Sequence, residues 1–126
     1  MTETDAAYLE RRIAGGPLAS LTEFPRYFEI ETVNACQAAC PMCTIADWNR
    51  KDGVMKGELF EKIATEIEKY AAVVKRVHLY RDGEPLLDKR LSYRINRMKK
   101  TGVREVGIST NAELLTEGKA AEILMA

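Results

Sequence analysis

"KRVHLYR", residues 75–81, alternates apolar and polar side chains. Val77 and Leu79 fall on one side of an extended chain and His78 and Tyr80 on the other, because successive side chains of a strand point to opposite faces. Two further segments read the same way. In "RYFEIETV" (residues 26–33) Phe28 and Ile30 oppose Glu29 and Glu31; in "VREVGIST" (residues 103–110) Val106 and Ile108 oppose Glu105, Gly107 and Ser109. Stretches of helical period lie between them. Residues 57–74 carry Leu59, Phe60, Ile63, Ile67, Tyr70 and Val74 along one face, and residues 88–102 carry Leu91, Ile95 and Met98. Asp88 reads as the N-cap of the second helix and Gly102 as its C-terminal stop; Thr116 caps a third, from Glu117 to about Met125. Alternating strand and helix predicts parallel strands with right-handed crossovers. Strands buried on both faces would be apolar throughout, whereas one face of each of these is polar. The pattern predicts an α/β sheet curved around a polar lumen, with helices outside.

The bulk numbers exclude several classes. A length of 126 residues suits one domain, and 46% hydrophobic with 30% charged residues is an ordinary globular mix. Lys+Arg and Asp+Glu both number 19, so no net charge draws the chain to nucleic acid or to an anionic membrane. No apolar run is long enough to span a bilayer, and "MTETDAAYLERR" is not a secretory signal. A cytoplasmic location is expected. Residues 1–23, with "AGGPLAS" at 14–20, read as an N-terminal extension and linker ahead of a domain at 24–126.

The three cysteines, Cys36, Cys40 and Cys43, are crowded into "NACQAACPMC" (residues 34–43). Their spacing would make one stripe on a helix, but Pro41 would remove a helical hydrogen bond and clash with the preceding turn, so a loop is expected. Structural zinc wants four ligands, usually in two pairs; no second pair exists, and His78 is the single histidine. An iron–sulfur cluster accepts thiolates and tolerates a missing ligand.

Cys36-Gln-Ala-Ala-Cys40-Pro-Met-Cys43 resembles the Cys-x3-Cys-x2-Cys motif of the radical S-adenosylmethionine (radical SAM) enzymes, with Glu31 and Asn34 preceding it as in many members. "DGEP" (residues 82–85), after the second strand, resembles the family's Gly-Gly-Glu-Pro motif; "STNAELLTEG" (residues 109–118), after the third, resembles its "STNG-x-LLT" run. Alone, the second and third would be ordinary turns. Together with the cysteines they fall at the C-terminal ends of successive strands, where barrels and open parallel sheets bind ligands. Two departures stand out: Met42 occupies a position that is usually aromatic, and Asp82 replaces the motif's first glycine.

The resemblance implies a fold and a chemistry. The fold would be the first half of a partial (β/α)6 TIM-like barrel, residues 24–126 supplying the first three β/α units of a longer enzyme. Cys36, Cys40 and Cys43 would hold a [4Fe-4S] cluster. Met42, Gly83, Glu84, Ser109, Thr110 and Asn111 would contact SAM, with Glu84 accepting from its ammonium. Reductive cleavage of SAM would give a 5′-deoxyadenosyl radical that abstracts hydrogen from a substrate, a peptide, protein or small metabolite. An electron donor such as flavodoxin or ferredoxin is implied. Glu29, Glu31, His78 and Tyr80 would line the lumen, with Arg81 and Asp82 at its mouth. The likeness is nearest to members that end in a second cluster-binding domain, often called SPASM. An iron–sulfur electron-transfer or redox-sensing module, and a zinc- or thiol-binding α/β domain, are the competing classes.

Overall fold

The structure, a computed structural model, describes Ala7 and residues 24–126. The linker expected at residues 1–23 therefore lies, Ala7 apart, outside the described residues. Three parallel strands, β1 (Tyr27–Glu29), β2 (Arg76–His78) and β3 (Glu105–Gly107), alternate with α1 (Gly57–Lys69), α2 (Leu91–Lys100) and α3 (Glu117–Met125). The strands lie in the order β1-β2-β3, and Phe28, Val77 and Val106 share one register row. Each new strand is added beside the last with no reversal, as along a barrel wall. The sheet is open among the described residues, with β1 and β3 as its edges.

The sheet's apolar face makes the core. Ile30, Val77 and Leu79 are buried against Phe60, Ala64 and Ile67 of α1 and against Leu91, Ile95 and Met98 of α2. Val77, Leu79, Ala64 and Met98 are wholly inaccessible. At about 25 cal/mol per Å2 of apolar surface, each large side chain of this set contributes roughly 1.5–3 kcal/mol. No helix among the described residues is long and apolar enough to cross a membrane.

The elements are shorter than the sequence suggests, for identifiable reasons. The ladder runs one residue past β1 and β2, with Ile30 N–H donating to His78 O at 2.8 Å and Leu79 N–H to Gly107 O at 2.9 Å. Residues 32–34 then leave the sheet. Val33 forms an antiparallel bridge with Val54, and Met55 N–H donates to Thr32 O at 2.8 Å. Helix α1 stops at Lys69, because Tyr70 and Ala71 donate three residues back and tighten the end into turns. Tyr70, expected on the buried face, is 40% exposed and stacks on Phe24 at 4.0 Å; Leu59 is 49% exposed. Thr116 caps α3 as expected, its hydroxyl accepting from Lys119 N–H at 3.2 Å, and Gly102 ends α2's last turn at φ +85°.

Asp88 is not the N-cap of α2; Arg90 is. The Asp88 carboxylate instead lies 2.7 Å from Arg94 Nε, both side chains 1% exposed. The angle is too poor for a hydrogen bond, but charge attraction at that distance in a dry interior remains large. Arg94 also donates to Met55 O at 2.6 Å and lies over the Phe60 ring. This buried pair joins α2, the turn before it, and the strap that precedes α1.

Candidate active site

The three loops that leave the strands meet at one point. The cysteine loop turns sharply, with Pro41 and Met42 inside a turn closed by Cys43 N–H donating to Cys40 O at 3.0 Å. Proline's fixed φ suits the second position of such a turn. All three thiols are free; Cys36 and Cys43 are half-buried and Cys40 is exposed. After β2 the chain reaches Gly83, where an added Cβ would stand 2.0 Å from Val33 O and 3.1 Å from Ala35 O. Only glycine allows the second loop to approach the first so closely. Glu84 N–H then donates to Ala35 O at 2.8 Å.

Glu84 completes the junction. Its carboxylate, on a residue 3% exposed, accepts from Leu86 N–H (2.8 Å) and the Thr110 hydroxyl (2.7 Å) at Oε1, and from Asn111 N–H (2.9 Å) at Oε2. The residue's backbone thus holds the first loop, and its side chain holds the second and third. The third loop is stiffened by two local bonds, Ala112 N–H to Thr110 Oγ1 and Glu113 N–H to Asn111 Oδ1, both 3.0 Å. Ala112 sits at φ +61°, a left-handed conformation that costs a residue with a Cβ roughly 1–2 kcal/mol.

Around this junction lies a cleft of about 240 Å3, lined by Cys36, Cys40, Cys43, Gly83, Glu84, Ser109, Thr110 and Asn111 together with Ala38, Tyr80, Arg81 and Asp82. Eight of the nine residues singled out from the motifs are therefore on one wall. Met42 is the ninth; it is 83% exposed and does not line the cleft. Glu31 also lies elsewhere. It pairs with Arg50 at 2.8 Å and lines a separate cavity with Thr32 and Asn34. Glu29 stays near the mouth, 3.7 Å from Arg81, which also contacts Asp82 at 3.3 Å. The His78 ring packs on Tyr80 at 5.3 Å and over Gly107, where an added Cβ would meet it at 2.9 Å.

Two contributors escaped the sequence reading. Gln37 donates to Asn111 Oδ1 (3.1 Å) and to Glu113 Oε2 (3.0 Å), linking the cysteine loop to the third loop. Nothing in the pattern marks Gln37 or Glu113 beyond their place in the motif loops. The strain at Ala112 did have a marker, since the run it resembles carries glycine there.

The donor set decides which metal group the cleft suits. Three thiols and no histidine face it, a soft set that suits iron–sulfur chemistry. Among the described residues no three Cys, His, Asp or Glu side chains stand close enough to share one ion.

The class of protein is a parallel α/β sheet that carries three free thiols and a buried carboxylate beyond the C-terminal ends of its strands. Residues 30–126 match the family model of the Radical SAM superfamily, and the chain belongs to that family. It is 33% identical over 98 residues to the tungsten-containing aldehyde ferredoxin oxidoreductase cofactor-modifying protein of Pyrococcus furiosus, covering 78% of this chain and 27% of that one. Its fold is similar to that of BtrN in complex with AdoMet and 2-DOIA, with a TM-score of 0.73 and 23% identity over 82% of this chain and 42% of BtrN. Streptococcus suis SuiB bound to S-adenosylmethionine gives a TM-score of 0.64 with 21% identity, over 95% of this chain and 28% of SuiB. The fold is thus part of a radical SAM TIM-like barrel, and the chain spans less than half the length of each of these proteins.

Proposed function

We propose that this chain carries the cluster- and SAM-binding part of a radical SAM active site. Cys36, Cys40 and Cys43 would hold a [4Fe-4S] cluster, leaving its fourth iron open to SAM. When bound, the two cofactors supply reductive cleavage of SAM to methionine and a 5′-deoxyadenosyl radical, which takes hydrogen from the substrate. The chain's own residues bind and orient. Glu84, desolvated and held by three donors, offers its remaining acceptor capacity to the SAM ammonium. Gly83, Ser109, Thr110 and Asn111 offer close backbone and polar contacts to the methionyl end, while Met42 stands exposed outside the cleft and is given no contact with SAM. The observation that carries the reading is the convergence of all three motif loops on Glu84 beside one cleft.

The relatives differ in what their names say they act on, a cofactor in one case and 2-DOIA in the complex of another. The SAM-bound BtrN and SuiB support chemistry at SAM, and the differing names leave the substrate as a peptide, protein or small metabolite reached past Tyr80, Arg81 and Asp82. A flavodoxin or ferredoxin would supply the electron, in a cytoplasmic setting that keeps the thiols reduced. Anaerobic reconstitution tests the proposal. It should give about four irons per chain, lost on Cys36→Ala, Cys40→Ala or Cys43→Ala, and SAM should perturb the EPR spectrum of the reduced cluster. A cluster indifferent to SAM would make the chain an electron-transfer module instead, and a zinc-filled site under iron-replete conditions would refute both.

A further inference from the structure

We infer that Asn111 is a positioning residue that tunes the cluster through the sulfur of Cys36, and that Gln37 fixes it in that role. The inference rests on the cysteines being cluster ligands and goes beyond it. Asn111 Nδ2 lies 3.6 Å from Cys36 Sγ, within hydrogen-bonding reach of the larger sulfur atom. Which amide atom faces the sulfur is settled by its neighbours. The other amide atom faces Glu113 N–H at 3.0 Å, a backbone donor that cannot be reversed, so it must be the oxygen. Gln37 Nε2 donates to the same oxygen at 3.1 Å, and its own orientation is held by Glu113 Oε2 at 3.0 Å. The NH2 group is left pointing at Cys36. The backbone of Asn111 is anchored as well, through its N–H to Glu84 at 2.9 Å. The donor is therefore fixed from both ends before any cofactor arrives. Among the described residues, Cys36 is the cysteine whose sulfur takes such a side-chain bond.

A hydrogen bond to a ligating sulfur stabilises negative charge there. Reduction adds one electron and no proton, so the bond strengthens on reduction and raises the potential; hydrogen bonds to the sulfurs are among the factors that set such potentials. Asn111 would thereby make the cluster easier to reduce, a function separate from any contact it makes with SAM.

The test is an EPR-monitored redox titration of the reconstituted full chain, poised with dithionite and mediators and without SAM, so that SAM contacts play no part. Asn111→Leu should cut the reduced-to-oxidised ratio at a given potential about tenfold, equivalent to about 59 mV for one electron. Gln37→Leu, which leaves the donor in place but loosens it, should shift the potential in the same direction by less. The Fe–S(Cys) stretches in resonance Raman should rise as the bond is lost. If Asn111→Leu fails to take up iron, Gln37→Leu decides: a shift in that direction supports the inference and none overturns it. A loaded Asn111→Leu protein with an unchanged potential overturns this inference alone. A wild-type chain that binds no cluster overturns the cluster reading and this one with it.

Discussion

Replacing Glu84 with glutamine keeps its shape and removes one acceptor. The carboxylate takes two bonds at Oε1 and one at Oε2. An amide has a single oxygen. If that oxygen serves Leu86 N–H and Thr110, the NH2 faces Asn111 N–H; if the amide is flipped, the NH2 faces Leu86 N–H. Either way a backbone donor is opposed by another donor, at a residue 3% exposed. An orphaned buried group costs about 1–3 kcal/mol, and the surviving bonds lose their charge assistance, so a total of roughly 2–4 kcal/mol is expected. With a urea slope of about 2 kcal/mol per molar, the midpoint should fall by about 1–2 M. The single tryptophan, Trp48, lies just beyond the cysteine loop and gives a fluorescence readout for the cofactor-free protein. In reconstituted protein the same change should weaken SAM binding by roughly 1.5–3 kcal/mol, the range for a hydrogen bond to a charged group. A cofactor-free midpoint equal to wild type would refute the claim that Glu84 ties the loops together, whatever happened to SAM.

Gly83→Ala would drive a Cβ to 2.0 Å from Val33 O, a backbone atom that cannot swing aside; stability should fall by about 3 kcal/mol or more, at the top of the range for overpacking, and wild-type iron content after reconstitution would contradict this. Ala112→Gly removes a Cβ from a left-handed residue at φ +61°; relief of roughly 1–2 kcal/mol of strain, less glycine's extra unfolded-chain entropy, should leave a small gain in urea midpoint, and a clear loss would mean the methyl group contributes packing. Glu61 accepts from Tyr93 Oη at 2.6 Å and Arg97 Nε at 3.0 Å, which hold its carboxyl below its ordinary range. A lowered folded pKa stabilises above the ordinary carboxylate range, and the gain is lost as pH falls through the folded value. Glu61→Gln should therefore cost less than about 1 kcal/mol near neutral pH, the group being partly exposed and screened, and nothing in acid; a difference that persists in acid would point to packing instead.

The strand alternation was legible because side-chain direction along a strand is purely local: Val77 and Leu79 are inaccessible and His78 and Tyr80 half-buried, as the period of two requires. The cysteine loop was legible because Pro41 has one local meaning. What escaped depends on distant partners. Residues 32–33 look like more strand, and leave the sheet only because residues 53–55 offer another ladder. Asp88 looks like a cap, and a cap reading cannot see that Arg94, six positions on, lies on the same stripe as Leu91, Ile95 and Met98 and is buried with them. Arginine is almost never buried unless paired, so the stripe held the clue to that ion pair, but not the identity of the partner. The motif marks Glu84 as an expected SAM contact; that it fastens three loops follows only from their meeting in space.

Fastening three loops gives a reason for burying a charge there. A carboxylate has about four acceptor sites, and the described residues fill three. The desolvation of the charge is thus offset by fixed donors within the fold, and one site is left, already oriented. A cation arriving at that site would not have to order the carboxylate, so little of its binding energy would be lost to reorganisation. The mouth of the cleft is built on the opposite plan. Arg81, Glu29 and Asp82 form loose, exposed pairs at 3.3–3.7 Å, worth little to stability and easily rearranged. Rigid charge at the floor and soft charge at the rim would divide the work under the proposed function: the floor would hold SAM, while the rim would adapt to a substrate without disturbing it.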